Sequence, residues 1–295
     1  MTKLVSVCIP AYRQPQLLLR AVHSVLCQVH CDFEVVITDD SPDDEVKLAL
    51  GELLAHPKVH YFKNDQRLGA VPNWNESMNR ANGAVIKILH HDDWLASPDS
   101  LSGLVDPILS GKAAVTFSAC RAMRLDETEL FEHHAQESDL LDLRSRTDHL
   151  AFTNFLGPPS IIAFDRALGI EFDTRYTWLS DVEFYIRAIG KAGHRLEYID
   201  RLLVNTTAES PLQLSRSCES DKVGTFIEYV TLFSEHLTMR RRHRAVFRYF
   251  SAMLTGFDAK QRLSLFAKAF RIGSSSVVAC LAAALVLPRR LAARI

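Results

Sequence analysis

Residues 84–95 read Ala84-Val85-Ile86-Lys87-Ile88-Leu89-His90-His91-Asp92-Asp93-Trp94-Leu95. A short β-branched apolar run stops abruptly on two carboxylates, which reads as a buried strand, Ala84–Leu89, with acid at its carboxyl end. The same design occurs upstream. Phe33–Thr38 (FEVVIT) stops at Asp39-Asp40-Ser41-Pro42-Asp43-Asp44, Leu4–Ile9 (LVSVCI) stops at Pro10, and Val59–Phe62 is a further short strand. Between the strands, Leu18, Val22, Val25 and Val29 recur at helical spacing and predict a helix over Pro15–Val29. Glu45–Leu54 and Pro72–Ala81 are further helices, the latter closed by Asn82-Gly83. Strand and helix alternating in units of roughly 30 residues predict an α/β fold. Its central sheet is mostly parallel and flanked by helices on both faces. Ligands of such sheets sit outside the carboxyl ends of the strands, where both acidic clusters fall.

Further along, Leu101–Ser110 reads as a helix, Ala113–Ser118 and Ile161–Phe164 as strands, and Ser180–Gly190 as a helix. Residues 121–150 are polar and read as an irregular loop excursion. Past Thr238 two helical stripes appear: Val246, Phe250, Met253 and Phe257, then Leu263, Phe266 and Phe270. The expected division is a catalytic body over 1–235 and a basic amphipathic helical region over 236–295.

The chain has 295 residues and a formal charge of −1, so bulk charge gives no footprint for nucleic acid. Its distribution says more. From His236 to Ile295 there are twelve Lys+Arg and one acid, Asp258, a charge of +11, which leaves −12 on the preceding residues. An acidic body with a basic tail suggests a partner with an anionic surface. The six cysteines show no CxxC pairing, which favours a reducing cytosol over a disulfide framework. The opening apolar run breaks at Pro10 and is no signal peptide, and the longest uncharged apolar run, Val277–Leu287, is 11 residues, against about 20 for a membrane span.

Each candidate site residue has a plain and a chemical reading. Asp92-Asp93 can cap the next helix in water, or hold Mg²⁺ or Mn²⁺ against a diphosphate. Asp40 can accept a hydrogen bond from a pyrimidine N–H, or the cluster around Asp43 and Asp44 can be an N-cap. Asp181 in Trp178-Leu179-Ser180-Asp181-Val182-Glu183 can complement a helix dipole, or act as a general base toward an attacking hydroxyl, with Glu183 as its rival. His90 and His91 read as strand-end histidines held by hydrogen bonds, or as metal ligands.

Together these motifs resemble the inverting glycosyltransferases of family 2, with the GT-A fold. Val5–Tyr12 is similar to the family's opening strand, and Ser24–Gln28 followed by Phe33–Ser41 to its helix-to-strand step. Gly69, Asn75, Ala81 and Gly83 are similar to the helix before the metal strand, and Lys87–Leu95 resembles its DxD-type site. Gly157-Pro158-Pro159-Ser160 and Ser180–Arg187 resemble the acceptor loop and the base-bearing helix. The resemblance runs over roughly residues 4–205.

The resemblance implies roles. Pro10, Ala11 and Tyr12 wall the nucleotide, and Asp40 holds the nucleobase, with Asp39 open as an alternative by one position. Asp92 lies near ribose and diphosphate, Asp93 carries Mn²⁺ or Mg²⁺, and Asp181 deprotonates the acceptor. The expected reaction moves a sugar from a nucleotide-diphosphate donor, UDP-sugar above all, to a hydroxyl of a glycan or lipid-linked glycan in cell-surface polysaccharide synthesis. Two departures stand out. Trp74 occupies a place that is often Arg in the family, and Asn205–Ser215 (NTTAESPLQLS) lacks the family's frequent His. The competing readings are a sugar-phosphate nucleotidyltransferase, disfavoured by the absence of Gly from residues 1–30, and an inactive scaffold that keeps the fold. The expected location is cytoplasmic, with the basic region 236–295 docking on the inner face of the plasma membrane or, alternatively, packing on the body.

Overall fold

A computed structural model describes residues 4–209, 221–237 and 243–286. Strand β1 (Val5–Ala11) is buried along its whole length and pairs in parallel with β2 (Phe33–Asp39) and β4 (Val85–Ile88). Strand β3 (Val59–Lys63) extends this half, parallel to β2. Strands covered on both faces have no solvent face, which is why they read as continuous apolar runs rather than alternating ones. Helix α1 (Pro15–Leu26) begins with a proline, which costs nothing where no N–H is needed, and buries Leu18, Ala21, Val22 and Val25. It stops three residues short of Val29. Helix α2 (Glu45–Leu50) passes into a 3-10 turn, Gly51–Ala55, and α3 (Ala70–Asn79) starts two residues before Pro72.

Gly83 sets the turn from α3 into β4. A Cβ there would lie 2.6 Å from both the backbone N and Oγ of Ser6, so only glycine lets this turn close on β1.

After β4 the sheet becomes mixed. Strand β5 (Trp94–Leu95) and helix α4 (Ser100–Leu109) lead to β6 (Val115–Met123). Strand β8 (Ile162–Asp165) runs antiparallel between β4 and β6, and β9 (Leu196–Thr207) is parallel to β6 and antiparallel to β5. The order is β3-β2-β1-β4-β8-β6-β9-β5, with β7 (Glu129–His133) antiparallel on β6. The parallel pattern expected from the sequence is thus that of the β1–β4 half and the β6–β9 pair, the other pairings being antiparallel.

Residues 121–150 are not the irregular excursion expected. They hold the end of β6, the β7 hairpin, α5 (Glu137–Ser145) and a 3-10 turn, Thr147–Ala151. These elements escape a periodicity reading because β7 lies half in solvent and α5 is predominantly polar. Strand β9 escapes it too: its first half mixes Leu196, Tyr198 and Ile199 with Glu197, Asp200 and Arg201, and only Leu203–Thr207 is buried.

Helix α6 (Ser180–Ala192) packs beneath the sheet, and α7 (Lys222–His236), α8 (His243–Met253), α9 (Ala259–Ile272) and α10 (Ser275–Val286) follow. The expected division at 235/236 falls at the last residue of α7. Phe226, Phe233, Phe250, Val277 and Leu281 belong to the same apolar cluster as the sheet. Val246, Phe250 and Phe257, the first stripe, are buried within it, whereas Leu263 and Phe270 of the second are exposed. Among the described residues no helix is long and apolar enough to cross a membrane. The cysteines among them, Cys8, Cys27, Cys31, Cys120 and Cys280, are free thiols.

Candidate active site

Three adjacent parallel strands, β2, β1 and β4, end on one side of the sheet. Because β1 feeds β2 and β3 in one direction and β4 lies in the other, their ends flank a switch in strand order, where α/β sheets open a crevice. A cavity of about 1020 Å³ lies there. Pro10, Ala11, Tyr12, Asp40, Asp92, Asp93 and Asp181 all line it, so carboxylates up to 141 positions apart in the chain share one opening.

On the β2 side, the two adjacent acids part ways. Asp39 is fully buried; its carboxylate accepts hydrogen bonds from Tyr61 Oη at 2.7 Å, Lys63 Nζ at 2.9 Å and the Ser41 N–H at 2.9 Å. Asp40 reaches the cavity. Its Oδ1 accepts from the Leu68 N–H at 2.7 Å and Asn64 Nδ2 at 3.0 Å, its Oδ2 from the Gly69 N–H at 2.9 Å. Gly69 has φ +89°, a left-handed backbone that turns its N–H onto the acid. Asn73 ties the strand ends together, donating to Thr38 O at 3.1 Å and Ala11 O at 3.3 Å. Arg67 lines the same wall with its guanidinium 4.9 Å from the Tyr12 ring centre. It is a cation that motif reading passed over.

On the β4 side, Asp93 is buried and accepts from the Thr207 N–H at 2.8 Å and from the Ser160 side chain. Burial, and then the neighbouring Asp92, push its carboxyl well above the usual range. Arg20, its guanidinium 3.6 Å from the Trp94 ring centre, donates to Asp92 O at 2.8 Å and so fixes the turn. His91 braces the strand ends, with Nδ1 3.2 Å from Pro10 O and Nε2 2.9 Å from Gln14 Oε1. His90 behaves differently. Its ring lies tilted 4.6 Å from Trp74, its Nε2 is buried without a hydrogen-bond partner, and burial pushes its pKa down to about 4, which leaves it neutral.

One ligand atom from each of His90, Asp92 and Asp93 lies within 4.8 Å of the others. Two neighbouring carboxylates, one of them buried, and an orphaned imidazole nitrogen suit a divalent cation, which would relieve the repulsion and take the open lone pair. The residues present therefore fit Mn²⁺ or Mg²⁺. Trp74, in place of the family's frequent Arg, packs on His90 and Phe172 and lines the cavity. The remaining departure, the missing His, concerns residues 210–215, which lie outside the described ones, together with Asn205–Glu209 on the end of β9 and just after it.

Across the cavity, Asp181 stands in the first turn of α6. It accepts from Asn154 Nδ2 at 2.8 Å and from the Val182 N–H at 2.7 Å, and enclosure pushes its carboxyl up to about 6. Asn154 is itself fixed by Gly157, whose carbonyl also accepts from Tyr185 Oη at 3.1 Å. Glu183 does not line the cavity. It is buried in an ion pair with Arg187 at 2.5 Å and lies 3.3 Å from His236, which holds its carboxyl below the usual range. Its role is structural.

Helix α7 completes this wall. Glu228 accepts from the N–H groups of Thr177 at 3.0 Å and Leu179 at 2.9 Å, fixing the entry to α6. Its neighbour Tyr229 lines the cavity, backed by Phe233 and Tyr249, and Phe152, stacked on Phe233, lines it too. Arg67, Asn154, Trp178 and Tyr229 escape motif reading because nothing in their neighbours distinguishes them; only the packing brings them to the site.

The fold is shared with solved structures. That of S. aureus TarS 1–349 in complex with UDP-GlcNAc superposes with a TM-score of 0.68 at 15% identity, over 96% of this chain and 87% of that one. The mannosyltransferase PcManGT from Pyrobaculum calidifontis, in complex with GDP-Man and Mn²⁺, does so with 0.53 at 17% identity, over 99% and 77%. In sequence, the chain is 32% identical over 117 residues to the Campylobacter jejuni GalNAc(5)-diNAcBac-PP-undecaprenol beta-1,3-glucosyltransferase, covering 39% of this chain and 37% of that one. The chain spans between about a third and three fifths of the length of the curated relatives it matches first. The family model of glycosyl transferase family 2 matches residues 6–172, from β1 to just before α6. That is more than half of the chain, which therefore belongs to glycosyl transferase family 2 and has the GT-A fold.

Proposed function

We propose that this enzyme transfers a sugar, with inversion, from a UDP-sugar to a hydroxyl of a glycan or lipid-linked glycan. The observation that carries the reading is the single cavity shared by Asp40, the His90/Asp92/Asp93 group and Asp181. Tyr12 and Asp40 hold the nucleobase, the carboxylate accepting the pyrimidine N–H, and Arg67 stands on the same wall as a further contact for the donor. Asp92, Asp93 and His90 would hold Mn²⁺ or Mg²⁺. That cation, when bound, supplies charge compensation for the diphosphate.

Asp181 accepts the proton of the acceptor hydroxyl. The acceptor oxygen forms its bond to the anomeric carbon as the bond from that carbon to the diphosphate oxygen breaks, and UDP leaves with the bonding electron pair. A single base and one displacement invert the anomeric centre. The raised carboxyl of Asp181 suits the task, since a stronger base still deprotonated near neutrality is the better catalyst. Asn154 positions it. The lipid-linked substrate named for the Campylobacter jejuni relative and the UDP-GlcNAc in the TarS complex support this donor and acceptor class.

The test is incubation of the full chain with UDP-sugars, Mn²⁺ and glycan acceptors, reading released UDP and the anomeric configuration of the product. Acceptor-dependent UDP release with inversion is expected. Retention of configuration would overturn the single-displacement role of Asp181, and no release with any UDP-sugar would overturn the donor assignment.

A further inference from the structure

The two apolar stripes of the C-terminal helices have different fates. Val246, Phe250 and Phe257 are buried in the core, whereas on α9 Leu263 is 69% and Phe270 68% exposed, and Ile272 at its end is 47% exposed. Leu263, Ala267 and Phe270 follow i, i+4, i+7 spacing and form one row. Leu265 and Ala269 on the opposite side hold the helix to the core, and a capping box, Asp258 with Gln261, fixes its start. The helix is therefore formed and anchored with a large apolar row facing outward, an arrangement that marks an interaction surface.

Charge says what covers it. Helix α9 carries Lys260, Arg262, Lys268 and Arg271 and no acid. Lys260, Lys268 and Arg271 are exposed and border the row, and no ion pair among the described residues neutralises any of the four cations. By contrast Arg175, Arg187 and Arg201 of the body are all paired. A second copy joined through the same face would set these cations against each other. A row of Leu and Phe beside uncompensated cations matches the layered chemistry of an anionic bilayer surface, with acyl chains below and phosphates above.

We propose that α9 lies in the interface of an anionic lipid bilayer, with Leu263, Ala267 and Phe270 in the acyl boundary and Lys260, Lys268 and Arg271 on the headgroup phosphates. This docking does not depend on the transfer chemistry proposed above. It places the chain on a surface where a lipid-linked acceptor would reside.

The test is co-sedimentation of the full chain with phosphatidylcholine vesicles, with and without 30 mol% phosphatidylglycerol, at low and high salt. Binding to the anionic vesicles alone, weakened at least about tenfold by high salt, is expected. Leu263→Gln with Phe270→Gln should lower the bound fraction about tenfold, and so should Lys260→Gln with Lys268→Gln and Arg271→Gln, which should also flatten the salt dependence. Both sets are exposed, so unchanged thermal melting confirms the fold. Absence of binding to anionic vesicles at low salt overturns the proposal. Wild-type binding by both variants overturns the assignment to α9 and moves it to another basic segment. A dimer in light scattering that Leu263→Gln with Phe270→Gln dissolves makes the row an interface between copies and overturns the lipid. Sugar transfer to a water-soluble acceptor without vesicle binding removes the docking and leaves the proposed function standing.

Discussion

The two walls of the cavity are built differently. The wall proposed for the donor comes from three neighbouring parallel strands: Tyr12 and Asp40 follow directly where β1 and β2 stop, and Asp92-Asp93 stand on the turn after β4. Backbone hydrogen bonds of the sheet fix the strand ends, and Asn73, His91 and Arg20 tie down the turns that follow them. The wall proposed for the acceptor is assembled from a loop, the start of α6 and α7, and side-chain hydrogen bonds to Glu228 and from Asn154 join these pieces. A wall set by sheet geometry is suited to what all donors share, a nucleotide and a diphosphate. A wall set by side-chain packing can vary with the acceptor at little cost to the fold.

That contrast can be broken most sharply at Asp181. Asp181→Asn keeps the shape and removes the base, so kcat should fall by on the order of 10³ to 10⁴ while donor affinity in calorimetry stays unchanged. A parallel loss of donor affinity would merge the two walls. The same substitution should raise the melting temperature at pH 7. The carboxyl of Asp181 is raised on folding from 3.8 to about 6, so its ionisation costs stability progressively as pH rises between those values and in full at pH 7, and Asn removes that cost.

On the donor wall, Asp93→Ala should weaken Mn²⁺ binding by about 100-fold, measured by titration calorimetry without acceptor, and leave acceptor binding intact. Unchanged Mn²⁺ affinity would refute the metal role. The pH dependence is the next effect in size. Transfer needs Asp181 deprotonated, so kcat should be level above about pH 6 and fall about tenfold per unit below it. Asn154→Ala removes a hydrogen bond to the carboxylate, which should raise that midpoint and lower kcat severalfold with both KM values unchanged. The smallest effect is expected at Tyr229. An aromatic face contributes roughly 0.5–1.5 kcal/mol, so Tyr229→Ala should raise the acceptor KM about two- to tenfold and leave the donor KM alone. A change in donor KM instead would place Tyr229 on the wrong wall.

Legibility followed the same division. Strands β1, β2 and β4 are buried on both faces and announce themselves as apolar runs, β2 and β4 leading into acid. Strands β7 and β9 and helix α5 are half-exposed or polar and left no period to read. Of the adjacent acids, which one faces the ligand was not legible, because Tyr61 and Lys63 capture Asp39 from a strand more than 20 residues away. Nor was the idle state of Glu183, whose partner His236 is distant in sequence. The two stripes of the basic region looked alike in sequence, yet Val246, Phe250 and Phe257 of the first are core, whereas Leu263 and Phe270 of the second are surface and Phe266 packs on the core.

The sequence by itself determined the parallel half-sheet, the acids at its strand ends and the presence of amphipathic basic helices. Each is written in the spacing of neighbouring residues and needs no distant partner. Only the tertiary structure decided which acids share the cavity, which is engaged elsewhere, which histidine is left with an open nitrogen and which helix faces outward. Those outcomes depend on burial and on contacts between residues far apart in the chain, and local patterning carries no record of either.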